Sequence, residues 1–263
     1  MKILVMTDIE GVTGVTTFPQ AETGQIGKDM LMNDLRAVID GLRNADAEVI
    51  LYDMHTDGRN IDLSSIDCPV IEGKPILPEL WRGVGSAGVD GLYLLGLHAM
   101  QHTPGALLAH SYLREYDAIY LNGLKVGEIG VEAALAGEQG IPLLLVTGDD
   151  KGCEEAETLI PEITTYAVKK SLGPTEAICY PPSVTSAGLR EASAKAVRTN
   201  PPPFKIEPPY EIKFEYSECT YLHIMRRLHP EIFENENTVI MRGDNLLKIW
   251  SQYLLYEKEM INA

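Results

Sequence analysis

A series of short apolar runs, spaced by helical patterns, restricts this chain more than any other feature: Ile3–Met6, Val49–Tyr52, Gly91–Leu97 and Pro142–Thr147. An unbroken apolar run suits a strand covered on both faces, which is the setting of a parallel sheet. Between the first two runs, Leu31, Leu35, Val38, Ile39 and Leu42 mark one face of a helix from about Lys28 to Asn44. A second helix through Val131, Ala134 and Leu135 ends near Gly137. Such alternation predicts an α/β fold built on a mostly parallel, doubly wound sheet.

Two segments break the alternation. Ala118–Leu121 and Leu124–Val126 flank Asn122-Gly123, the dipeptide of a type I′ hairpin. Later, Pro181-Pro182, Pro201-Pro202-Pro203 and Pro208-Pro209 punctuate the chain. Glu211–Tyr216 alternates like a half-exposed strand, and Thr238–Met241 reads as another. Asp244 is placed to cap a last helix with Leu247, Trp250, Leu254 and Ile261 along one stripe. The expected organisation is an α/β metal-binding domain over residues 1–170 and a smaller α+β domain over 171–263.

Charge narrows the partners. The 263 residues carry a formal net charge of −16, from 22 basic and 38 acidic side chains. Nucleic-acid binders need clustered Lys and Arg, and anionic membranes repel such a surface, so neither is an expected partner. No apolar stretch is long enough to span a bilayer. Cys68, Cys153, Cys179 and Cys219 are widely spaced and form no CxxC. They read as reduced, mostly buried thiols of a cytoplasmic protein, and Met1-Lys2 leads straight into a strand with no secretory leader expected.

The chemistry gathers where the strands end. In Asp8-Ile9-Glu10-Gly11, extended chain puts the two carboxylates on one side, and Gly11 lets the backbone turn away. His55 lies just past the second run and His98 just past the third. The carboxyl ends of parallel strands share one sheet edge, where α/β proteins place ligands. Like charges held that close need a cation. Carboxylate oxygen with imidazole nitrogen suits Zn²⁺, Mn²⁺ or Co²⁺. Taken singly, each of these residues is more often a turn or capping residue than a ligand.

Further motifs extend the pattern: Asp53-Met54-His55, Gly96-Leu97-His98-Ala99, Thr103-Pro104-Gly105 followed by His110, Val126-Gly127-Glu128-Ile129-Gly130, Gly148-Asp149-Asp150, and Thr164-Thr165 to Lys169-Lys170. Together with Asp8-Ile9-Glu10-Gly11 they resemble the zinc-dependent D-aminopeptidases of the DppA type. The resemblance is close over roughly residues 1 to 175 and loose beyond. The chain departs from the pattern in an extra residue before His110, within Ala106–Ala109.

The resemblance implies two zinc ions per chain. Asp8 would bridge them, Glu10 and His98 would complete one ion, and His55 and Glu128 the other. Three carboxylates against two divalent ions leave one formal positive charge, which a bridging hydroxide neutralises. His110 occupies the family's catalytic position, and acid–base or electrophilic help suits it better than nucleophilic attack, since hydroxide already supplies a nucleophile. The implied activity is release of the N-terminal residue, D-configured, from short peptides or amino-acid amides. The implied assembly is a homodecamer of stacked rings. Two other functions are weighed beside it: a dinuclear metal hydrolase of another amide, and a non-peptidase α/β protein binding a phosphorylated small molecule. The second lacks a GxGxxG or P-loop spacing. His102 is expected in a surface loop, and His223 and His229 in structural roles. Asp149, Asp150 and Asn122 are expected as turn residues.

Overall fold

The structure, a computed structural model, describes residues 1–81 and 88–263. β1 (Lys2–Thr7) leads through α1 (Phe18–Glu22) and α2 (Gln25–Asn44) to β2 (Glu48–Asp53), β3 (Val70–Ile71) and β4 (Gly91–Leu97). Next come β5 (Tyr116–Leu121), β6 (Leu124–Val126), α3 (Glu128–Glu138), β7 (Leu143–Asp149), α4 (Asp150–Leu159), β8 (Thr164–Ser171) and β9 (Ala177–Cys179). The chain ends with α5 (Pro182–Ala196), β10 (Tyr210–Tyr216), α6 (Thr220–Leu228), β11 (Thr238–Gly243) and α7 (Leu246–Ile261).

Seven strands form the expected sheet, in the order β3-β2-β1-β4-β7-β8-β9. All pairings are parallel except β8 with β9. Alternate residues of β1 enter different cores: Leu4 and Met6 on one face, Ile3 and Val5 on the other. Burying each such side chain contributes about 1.5–3 kcal/mol relative to leaving it exposed. On one face α2 packs against α5, with Leu31, Leu35, Val38 and Leu189 inside. From β1 the chain moves outward to β2 and β3, then returns to lay β4 on the other side of β1. The β1/β4 seam is therefore the topological switch point, where such sheets open a crevice.

The other face is covered by α3 and by a second, antiparallel sheet in the order β11-β10-β5-β6. The Asn122-Gly123 hairpin forms as expected, with φ of 47° and 83° at its two turn residues. It does not stay with its sequence neighbours. β5 pairs with β10, Leu121 opposite Ile212. A two-stranded ribbon is marginal alone, and pairing with two later strands completes it. The sheets thus do not divide the chain at residue 170: the hairpin joins the late strands, while α5 joins the α2 layer. Across the second sheet lies α7, whose Tyr253 ring stacks on Phe214 at 3.8 Å.

Two smaller expectations are corrected. Asn245, not Asp244, caps α7, because a capping oxygen must reach the amide three residues on, and Asn245 accepts from Lys248 N at 2.8 Å. The cysteines are free but not mostly buried: Cys153 is buried, Cys68 and Cys219 are half-buried, and Cys179 is exposed on the edge strand β9.

Candidate metal centre

The loop after β1 is pressed against the end of β4. Asp8 N donates to Leu95 O at 2.8 Å and Gly11 N to Gly96 O at 2.7 Å. A Cβ on Gly11 would stand 1.9 Å from Leu97 O, so only glycine allows this approach. The contact carries Asp8 and Glu10 to the switch point, beside the residue that follows β4, His98. Past β2, the Asp53 carboxylate accepts His55 N at 3.2 Å and also Asn60 N, which holds the His55 turn in place. Glu128 is the first residue of α3, so the helix dipole favours its carboxylate, and it accepts Tyr112 N at 2.7 Å.

These five side chains converge and are all buried. His55 Nδ1 lies 2.8 Å from Asp8 Oδ1 and 3.1 Å from Glu10 Oε2. His98 Nε2 lies 3.4 Å from Asp8 Oδ2 and 3.3 Å from Glu128 Oε1. The two oxygens of Asp8 therefore face different histidines. Donor atoms of Asp8, Glu10 and His98 fall within 4.8 Å of one another, as do those of His98, His110 and Glu128. The contacts differ from the expected partition in one respect. His55 stands against Asp8 and Glu10, while Glu128 stands against His98.

His110 completes the group. Its Nδ1 donates to Leu108 O at 2.9 Å, which leaves Nε2 directed at the cluster, 4.0 Å from Glu10 Oε1. The segment of the extra residue, Ala106–Ala109, includes Leu108 with a positive φ of 49°, and His110 still reaches the cluster. The Phe18 ring meets it edge-on at 5.3 Å.

Charge explains the protonation pattern. Burial would raise the Asp8 carboxyl, but the His55 and His98 imidazoles beside it hold it well below the usual range. Glu128 follows the same balance, lowered mainly by His98. Burial would lower His55, yet Asp8 and Glu10 carry it up to about 10. His98 likewise rises well above its ordinary value on Asp8 and Glu128. The two imidazoles thus supply the positive charge that three packed carboxylates require.

The donor set fits a metal ion. Glu10 Oε2, His55 Nε2 and His98 Nε2 are buried without a well-formed hydrogen bond, Glu10 Oε2 and His98 Nε2 having only the ion-pair contacts given above. Leaving such an atom unmatched costs about 1–3 kcal/mol. Three orphans from oxygen and imidazole nitrogen, in one cluster, match the donors that zinc takes. The cluster opens into a cavity of about 740 Å³, whose wall includes Tyr112, Trp250 and Leu254.

The remaining histidines stay apart. His102 is exposed, 3.4 Å from Asp117, and His223 pairs with Glu218 at the surface. His229 packs on Tyr256 and meets Glu259 at 3.0 Å. Asp149 caps α4 and accepts Ser171 Oγ, while Asp150 accepts Ser171 N. Asn122 ties the hairpin to Glu207 O and Glu211 N.

Sequence reasoning did not find Glu155 and placed Lys169 only within a motif, without a role; both are buried beside the centre. Glu155 accepts Met100 N at 2.7 Å, and burial pushes its carboxyl up to about 7. Its one sequence signal is a carboxylate on the inward face of an otherwise solvated helix.

The D-aminopeptidase family model, Peptidase_M55, matches residues 1–254. A D-aminopeptidase of Bacillus subtilis (strain 168) is 26% identical over 267 residues, covering 97% of this chain and 96% of its own. Among solved structures, the zinc-dependent D-aminopeptidase DppA from Bacillus subtilis, a self-compartmentalizing protease, superposes with a TM-score of 0.90. It is 25% identical, and the match covers 100% of this chain and 99% of that one.

Proposed function

The chain belongs to the D-aminopeptidase family, and on that premise we propose that it releases N-terminal D-residues from short peptides or amino-acid amides at a centre holding two zinc ions. The observation that carries this reading is the buried cluster with three unmatched donor atoms, Glu10 Oε2, His55 Nε2 and His98 Nε2, facing a cavity. Asp8 suits a bridging role because its oxygens face opposite histidines. Glu10 and His98 would complete one set with it, since donor atoms of the three fall within 4.8 Å of one another, and His55 and Glu128 would supply the second. Zinc bound there supplies Lewis acidity, acidifying water and polarising an amide carbonyl.

The protein's own groups do the rest. His110 is the proton carrier: Leu108 O fixes its Nδ1–H, so Nε2 is left to take and return a proton beside the cluster. Burial, and positive charge at the His98 position, lower the His110 pKa and keep that nitrogen available. Trp250 and Tyr112 line the cavity that a substrate would enter. Three carboxylates at the sheet edge oppose a phosphorylated ligand, so the phosphate-binding alternative is not favoured.

A homodecamer around an inner channel belongs to the same reading, supported by the self-compartmentalizing relative. So does a cytoplasmic setting, which suits four free cysteines. The test is metal analysis of the purified chain with a panel of L- and D-aminoacyl amides and dipeptides. Near two zinc per chain and turnover of the D-series support the proposal. Absence of bound metal, or L-selective turnover, would overturn it.

A further inference from the structure

Lys169 lies in the middle of β8 with no exposed surface, and it makes no ion pair among the described residues. Its ammonium has three N–H donors. They go to the carbonyl oxygens of Glu10, Val12 and Val15, at 2.5–2.9 Å. These acceptors all belong to the irregular loop that follows β1 and carries Asp8 and Glu10. The same loop is held by Asp34, which accepts Thr13 N and Thr13 Oγ1, each at 2.8 Å. No neighbouring carboxylate bonds the ammonium, so the fold gains no ion pair from a charge here. A buried charge of this kind is costly, and an apolar side chain would fill the strand position more cheaply.

We infer that Lys169 is a positioning residue: by gathering three loop carbonyls it fixes the turn at which Glu10 points into the metal centre. This rests on the reading of Asp8 and Glu10 as ligands. Two effects of the lysine oppose one another. Its positive charge beside the centre repels cations, whereas its hydrogen bonds prearrange the carboxylates that attract them. The three loop carbonyls also solvate the charge, which leaves the prearrangement as the larger effect expected here. Residues that orient ligands from behind typically change metal affinity by about 10–100-fold.

The test uses the full chain stripped of metal. Zinc affinity is measured by competition with a chromophoric chelator, and site geometry by the visible bands of bound Co²⁺. Lys169→Met is expected to weaken zinc by about tenfold or more and to shift the Co²⁺ bands. Lys169→Gln keeps two N–H donors without the charge and should fall between it and the parent. Tyr93→Phe is the structural benchmark, since it deletes a buried bond to Ser193 O. It should lower the melting temperature and leave zinc affinity unchanged. Parent-like or tighter zinc binding by Lys169→Met overturns the inference. If Lys169→Met does not fold, parent-like affinity in Lys169→Gln overturns it equally. A parent chain that binds no metal would bring down the ligand assignment itself, which is a separate result.

Discussion

The imidazoles of His98 and His110 lie face to face, with ring centroids 4.1 Å apart and planes within 10° of parallel. Only His98 lies within 3.5 Å of carboxylates. Two stacked cationic groups at that distance repel, so positive charge at His98, a proton or a bound cation, disfavours a proton on His110. On the proposed reading one ring binds and its neighbour exchanges protons.

That division predicts different outcomes for similar substitutions. His110→Ala should keep the fold and both metals but lose about 10²–10⁴-fold in kcat, or roughly 3–5 kcal/mol of barrier. His55→Ala and His98→Ala should lose metal and activity together. Metal content by elemental analysis, set beside steady-state kinetics, separates the two classes.

Asp8→Ala should empty both metal positions, because one carboxylate serves the two sets. Its melting temperature should also cease to respond to zinc. For the parent chain, zinc at a hundred times its Kd should add about 2.7 kcal/mol of stability. Calorimetric melts with and without zinc check both statements, and full metal content in Asp8→Ala would refute the bridging role.

Glu155 makes stability depend on pH in the direction opposite to a salt-bridged carboxylate. Burial raises its folded pKa to about 7, from an ordinary 4.5. Below about 4.5 both folded and unfolded forms are protonated, so there is no penalty. Between about 4.5 and 7 the unfolded chain releases the proton and the folded chain keeps it. Stability should therefore fall as pH rises through that window, by at most about 1.4 kcal/mol per unit from this group. Urea denaturation of the metal-free parent and Glu155→Gln, from pH 5 to 8, isolates the slope as their difference.

The assembly is testable without kinetics. By light scattering the protein should run far above its 29.0 kDa chain mass. A clean monomer would remove the enclosed channel from the proposal.

Much of the centre was legible because β1, β2 and β4 announce themselves as apolar runs, and Asp8, Glu10, His55 and His98 stand where those runs stop. Glu128 was not, since a first-turn Glu is favoured by any helix dipole; only its motif marked it. Strand β8 escaped because its buried side is interrupted by Lys169, a charge that breaks an apolar pattern. The pairing of β5 with β10 joins residues about ninety positions apart, and no local periodicity encodes it. Glu155 was hidden for a related reason: a carboxylate on a short helix reads as solvated until the fold turns it inward.

Every donor of the centre comes from the first half of the chain, between Asp8 and Glu128, while Trp250, Leu254 and Ile261 of α7 form part of the cavity wall. Reactivity and part of the selectivity are thereby inherited separately. Substitutions along α7 can redraw the range of peptides admitted while the ion-binding loops stay untouched. A lineage carrying this fold is free to change its diet without relearning its chemistry.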